Sequence, residues 1–228
     1  MTVELKLHYV AFLDILGFKE MVRHDTLGEE HQYLSLLFKC HQSAAQIFSD
    51  DPECLVTQFS DSIVVSKPYE PSTFQWFATR VAEYQRLLLD EQLLCRGGVA
   101  IGKHFSNGSF TFSAGLITAY SVESQAARYP RVVISPDVME LLFPDRKFLP
   151  NFLILEDDGL AFIDYIGLTV RKKPKKLESS ISDVVAKLLN NTTPSVREKG
   201  LWLAAYSDAI LGTTLSRPKF IGSKVRVD

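Results

Sequence analysis

Residues 9–18, YVAFLDILGF, place one carboxylate, Asp14, inside a run that otherwise belongs in a protein interior. Burying an ionised carboxylate without a cation, hydrogen-bond donors or a raised pKa is strongly unfavourable. A chain that folds around this segment must therefore bring a partner to Asp14. The plain alternative is that Asp14 closes a turn or caps a helix, as Asp often does.

The rest of the chain can build such an interior. Its 228 residues suffice for one well-buried core, or one core with an appendage. Hydrophobic residues make up 46% and charged residues 23%, the balance of a folded globular protein and not of a disordered one. Lys and Arg total 25 against 27 Asp and Glu, a net charge of −2. That excludes the global positive field of a non-specific nucleic-acid binder, so no nucleic-acid partner is expected. The start, MTVELKLHYV, lacks the pattern of a secretory signal, and no window is long and apolar enough to span a bilayer. A cytoplasmic protein without a membrane partner is the expectation. Cys40, Cys54 and Cys95 are odd in number and scattered, which fits neither a zinc site nor a disulfide framework. They read as reduced core thiols.

The periodicity alternates between strand and helix. HYVAFLDIL reads as a buried strand; GFKEMV and EEHQYLSLLFKCHQSAAQIF read as helices. LVTQFSDSIVVSKP is one bent strand or, preferably, a hairpin turning at Ser60 and Asp61. STFQWFATRVAEYQRLLLDEQ carries a helical pattern, and LCRGGVAIGKHF a strand with paired glycines. The order β-α-β-β-α-β predicts an α+β, ferredoxin-like core: a mixed sheet with its helices on one face. Further on, GLITAYSVESQAARYP reads as a helix closed by Pro130, and RVVIS as a strand. SPDVMELLF is a short helix capped by Ser135, and LAFIDYIGL a strand. RKKPKKLESS is a polar, basic break, followed by a last helix in PSVREKGLWLAAYSDAIL. The expected division is a domain over 1–171 and a basic linker with a C-terminal helical arm over 172–228.

Asp61, in QFSDSIVV, is a second polar interruption between apolar residues. If the first strand and the hairpin are neighbours, Asp14 and Asp61 converge. Two close carboxylates repel, and a hard divalent cation such as Mg²⁺ or Mn²⁺ relieves this while leaving positions for phosphate oxygens.

These residues resemble a known family. FLDILGF is similar to the first metal motif of class III nucleotide cyclases, and QFSDSIVV to the second, with Ser60 where those enzymes usually have Gly. RGGVAIG resembles their Arg-x-Gly strand, and SQAARY the helix that carries an Asn and, four residues on, an Arg. More narrowly, AFLDILGF, FSDSIVVS, RGGVAIG, VESQAARYPRVVIS and DDGLAFIDYIG together resemble the pyrimidine cyclases of bacterial Pycsar anti-phage systems.

The resemblance implies the catalytic domain of a class III cyclase with two divalent cations, Mn²⁺ or Mg²⁺, on Asp14, Asp61 and the carbonyl of Ile15. The turn at Gly17 and Phe18 would bring amides near a triphosphate. Arg128 takes the place of the family's transition-state arginine, and Ser124 that of its Asn; Glu123, next to it, is the other candidate for that role. Adenylate cyclases commonly carry Lys, and guanylate cyclases Glu, where this chain has Thr57, followed by Gln58. A hydroxyl and an amide suit the smaller edge of uracil or cytosine. The implied activity is UTP, or alternatively CTP, to a 3′,5′-cyclic nucleotide and pyrophosphate, in a homodimer with composite sites, signalling to a separate cyclic-nucleotide-responsive effector.

Blander readings stand beside these. Arg128 is then a solvated helix charge, Thr57 and Gln58 ordinary strand residues, and Arg96 a structural pair beneath the sheet. Lys172, Lys173, Lys175 and Lys176 then form a solvated linker, and Trp202 and Tyr206 pack the last helix. A silent nucleotide-binding or dimerisation module is the competing function, kept open by Ser60 and Ser124; a purine cyclase is a third reading.

Overall fold

The computed structural model describes residues 4–29, 31–107, 109–145 and 148–217. At its centre runs β1 (Lys6–Ile15), antiparallel to β3 (Ser62–Pro68) on one side and to β4 (Cys95–Ser106) on the other. β2 (Leu55–Phe59) pairs with β3 outside it. β6 (Val132–Ile134) runs parallel to β4, and β8 (Ala161–Ile163) and β7 (Leu153–Leu155) follow. The sheet order is β2-β3-β1-β4-β6-β8-β7, with β5 (Thr111–Ser113) beside β4. Its first four strands have the predicted ferredoxin-like order, and the parallel β4–β6 pair makes the sheet mixed.

β1 is apolar from Tyr9 to Leu13 because both of its faces are covered there. Tyr9, Ala11 and Leu13 enter the main core with Cys40, Ala44 and Phe48 of α2 (Gln32–Phe48) and Phe74, Phe77 and Val81 of α3 (Phe74–Asp90). Val10 and Phe12 point the other way, to Val64, Ala100 and Ala119 of α4 (Ala114–Ala126). The two-residue period of a strand thus assigns Asp14 to the α4 face, where its apolar neighbours end. The core's own helices share one face as expected, and α4 is added on the other.

α4 lies very close to the sheet. A Cβ at Gly98 of β4 would sit 2.3 Å from the carbonyl oxygen of Ala119, so only glycine admits the helix at this height. After β1 the chain turns through Gly17, at φ +84°, into α1 (Phe18–Leu27). β2 and β3 form the hairpin, turning at Ser60 and Asp61, with Ser60 at φ +55°. All three cysteines are free and buried, as expected.

Beyond β6, Ser135 caps α5 (Pro136–Leu142), accepting the N–H of Val138. LAFIDYIGL departs from the single strand read from it. β8 stops at Ile163, and Asp164 accepts the N–H of Gly167 to start α6 (Tyr165–Thr169). The basic break is also not irregular throughout: Pro174 opens α7 (Pro174–Leu189), which packs along α8 (Pro194–Leu211). Leu177, Ile181 and Val184 of α7 and Leu203 and Ala204 of α8 join the main core. Trp202 stacks on Tyr129 with ring centres 5.6 Å apart. The hydroxyl of Tyr206 donates to Asp164 Oδ1 at 2.5 Å and accepts the N–H of Ile166 at 3.1 Å.

Candidate active site

Three side chains line up across the end of the sheet. Asp14 on β1 is directly opposite Ser62 on β3 and Arg96 on β4, and directly paired residues share a face. The N–H of Ile15 donates to the carbonyl of Asp61 at 3.0 Å, fastening the hairpin tip to the end of β1. That bond is why residues so far apart in sequence meet: it holds Asp61 beside the end of β1, where its charge acts on Asp14. Partial burial, then the charges of Asp61 and Glu123, push the Asp14 pKa up to about 6 against the pull of Arg96.

Glu123 of α4 closes the group from above, 3% exposed, its pKa also raised by burial. The Nε of Arg96 lies 2.6 Å from Glu123 Oε1 and 3.6 Å from Asp14 Oδ2. One guanidinium therefore faces two carboxyl groups, and the charge of Asp61 acts on both of them, a local negative excess. Among the described residues, no three His, Cys, Asp or Glu side chains form a ready-made cage for a metal. Two hard carboxylates without a cage are the sort of donor set that Mg²⁺ or Mn²⁺ shares with water and phosphate.

Asp14, Ser62, Arg96 and Glu123 floor a cleft of about 590 Å³. Phe12 and Phe59 of the sheet and Leu116, Ile117 and Tyr120 of α4 wall it, and Ser124 stands at its edge. Ile15 ends β1 with its side chain in the core, and Gly17 and Phe18 follow at the start of α1. Thr57 shares a sheet face with Phe59, toward the cleft. Gln58 needs correction as a base reader. As the next residue on the strand it faces the opposite side, where its amide donates to the carbonyl of His41 in α2 at 3.1 Å.

Arg128 is not in the cleft of its own chain. It lies two residues past the end of α4, 66% exposed, with its guanidinium 2.5 Å from Glu198 of α8. Arg96, read as a structural pair beneath the sheet, instead faces the cleft. Its place in the site rests on the register with Asp14 and on Gly98, which lets α4 lie close to β4, and no local sequence signal gives either.

No family model matches the chain, and no curated protein matches it. Solved structures do. The monomeric guanylyl cyclase domain of the RhoGC fusion protein from the aquatic fungus Blastocladiella emersonii superimposes with a TM-score of 0.50 at 12% identity, over 72% of this chain and 98% of that one. The chain has a nucleotide cyclase fold. The adenylyl cyclase CyaB from P. aeruginosa is also similar, with a TM-score of 0.49 at 16% identity, covering 72% of this chain and 96% of that one. Among the described residues no helix is long and apolar enough to cross a membrane.

Proposed function

We propose that this chain is a pyrimidine nucleotide cyclase converting UTP, or alternatively CTP, to its 3′,5′-cyclic monophosphate and pyrophosphate. The observation that carries the reading is Asp14 on the floor of a cleft with Asp61 fastened beside it at the end of β1, within a cyclase fold. The product would act as a second messenger on a separate effector in anti-phage defence, a setting supported by the motif likeness to Pycsar cyclases.

Asp14, Asp61 and the carbonyl of Ile15 would hold two divalent cations, Mn²⁺ or Mg²⁺. When bound, these supply positive charge that lowers the pKa of the ribose 3′-hydroxyl and stabilises the leaving pyrophosphate. The chain's own groups do the rest. Amides at Gly17 and Phe18, at the start of α1, face incoming phosphate with the positive end of the helix. Arg96 holds Glu123 and Asp14 in place and limits their mutual repulsion. The 3′ oxygen bonds to the α-phosphorus as the bond to the bridging oxygen breaks; the hydroxyl proton leaves to solvent and pyrophosphate takes the electron pair. Arg128, from the partner subunit of a homodimer, would steady the charge on the phosphate, and Ser124 the ribose. Thr57, on the cleft face of β2, is the base reader in this scheme.

Incubating the full chain with each of the four nucleoside triphosphates and Mn²⁺, with products identified by mass, tests the reading. Cyclic UMP or cyclic CMP is expected, and Asp14→Ala or Asp61→Ala should cut the rate at least about a hundredfold. A cyclic purine product would overturn the pyrimidine assignment, and no product from any triphosphate would favour the silent module.

A further inference from the structure

A second pair of chemically capable side chains lies on the same sheet face, six residues back along β1 and about 20 Å from Asp14 at strand rise. His8 on β1 and His104 on β4 are diagonal neighbours in the antiparallel ladder, since His8 is opposite Gly102 and His104 opposite Lys6. Their ring centres are 5.0 Å apart, with the planes inclined at 48°.

Two features set the pair apart from ordinary strand histidines. His104 is 2% exposed, yet neither of its ring nitrogens has a hydrogen-bond partner. Leaving two buried polar atoms unsatisfied is costly and calls for a reason. His8 has its Nδ1 against the carbonyl oxygen of Lys6 at 3.0 Å. A ring N–H donated to a backbone carbonyl orients an imidazole and leaves Nε2 as the free donor atom, the usual arrangement in metal-bound histidines. Two imidazoles bound to one ion at about 2.0–2.1 Å each have ring centres near 5 Å apart when the angle at the ion is close to tetrahedral. The ammonium of Lys6, on the same edge, is drawn to Glu4 at 3.4 Å.

We propose that His8 and His104 form a two-imidazole site for a late first-row divalent cation of the Zn²⁺ type, clamping β1 to β4. The site differs in chemistry from the nucleotide cleft. Nitrogen donors select Zn²⁺, Cu²⁺ or Ni²⁺, whereas the Asp14–Asp61 pair takes hard cations. Waters would complete the coordination.

Calorimetric titration of Zn²⁺ into the full chain at pH 7.5, with Mg²⁺ in large excess, tests this. One equivalent should bind with a rise in melting temperature, and His8→Ala should weaken binding at least about tenfold. Because surface histidines also bind zinc, His24→Ala, at a site far along the chain on α1, should leave the binding unchanged; so should Asp14→Ala. His104→Asn should abolish binding, and if that buried variant fails to fold, the half-buried His8 carries the decision. Absence of saturable binding, or binding that survives His8→Ala or falls equally with His24→Ala, would overturn the proposal.

Discussion

Ser60 holds the first turn position of the β2–β3 hairpin at φ +55°, a conformation that costs a non-glycine residue about 1–2 kcal/mol. Ser60→Gly removes that strain at the expense of a more flexible unfolded chain. The net expectation is a gain of about 0.5–1 kcal/mol in urea unfolding, with Asp61 held as before; a loss would mean that the Ser60 side chain contributes more than its backbone costs. Much of the site was legible at this scale. Asp14 announces itself as the one carboxylate in an apolar run, and Asp61 as its counterpart at a hairpin tip. Gln58 was misread because neighbours on a strand face opposite ways, so Thr57 and Gln58 cannot both reach one ligand. Glu123 and Arg96 were harder to assign. Their part in the site depends on the height of α4 over β4 and on the β1–β4 register, neither of which shows in local composition.

At the scale of elements, the cleft is set by how close α4 lies to β4. Gly98→Ala would drive a methyl into the Ala119 carbonyl and the Val122 side chain, so α4 must lift or the strand must bend. The expected cost is about 1–3 kcal/mol of stability. Nucleotide turnover should fall more than stability alone explains, because Glu123 and Ser124 move with the helix. Comparing chemical denaturation with activity well below the melting temperature separates the two effects. The strand order and the hairpin followed from periodicity and turn residues, whereas α7 did not. Its N-cap is Lys173 at φ +50° with no capping side chain, and its first turn is basic where acidic residues usually mark a start. The packing of Leu177, Ile181 and Val184 against the core stabilises the helix in place of those local signals.

At the scale of the molecule, one chain supplies the carboxylates of a cleft but keeps Arg128 paired with Glu198 of its own α8. An exposed ion pair such as Arg128–Glu198 is weak, so the arginine can be exchanged to another partner at little cost. If it completes the site of a second subunit, mixing inactive Asp14→Ala and inactive Arg128→Ala proteins restores part of the activity, since one composite site per mixed dimer is intact. No recovery, with subunit exchange demonstrated by mass, would count against shared sites. Tyr129, the next residue along, lies flat against Trp202, and Trp76 sits apart under Lys67. With only two indoles in the chain, a Trp76→Phe background leaves a single emitter stacked beside the arginine's backbone. Its fluorescence is then a built-in gauge, readable in real time and without a label, of when that residue changes partner.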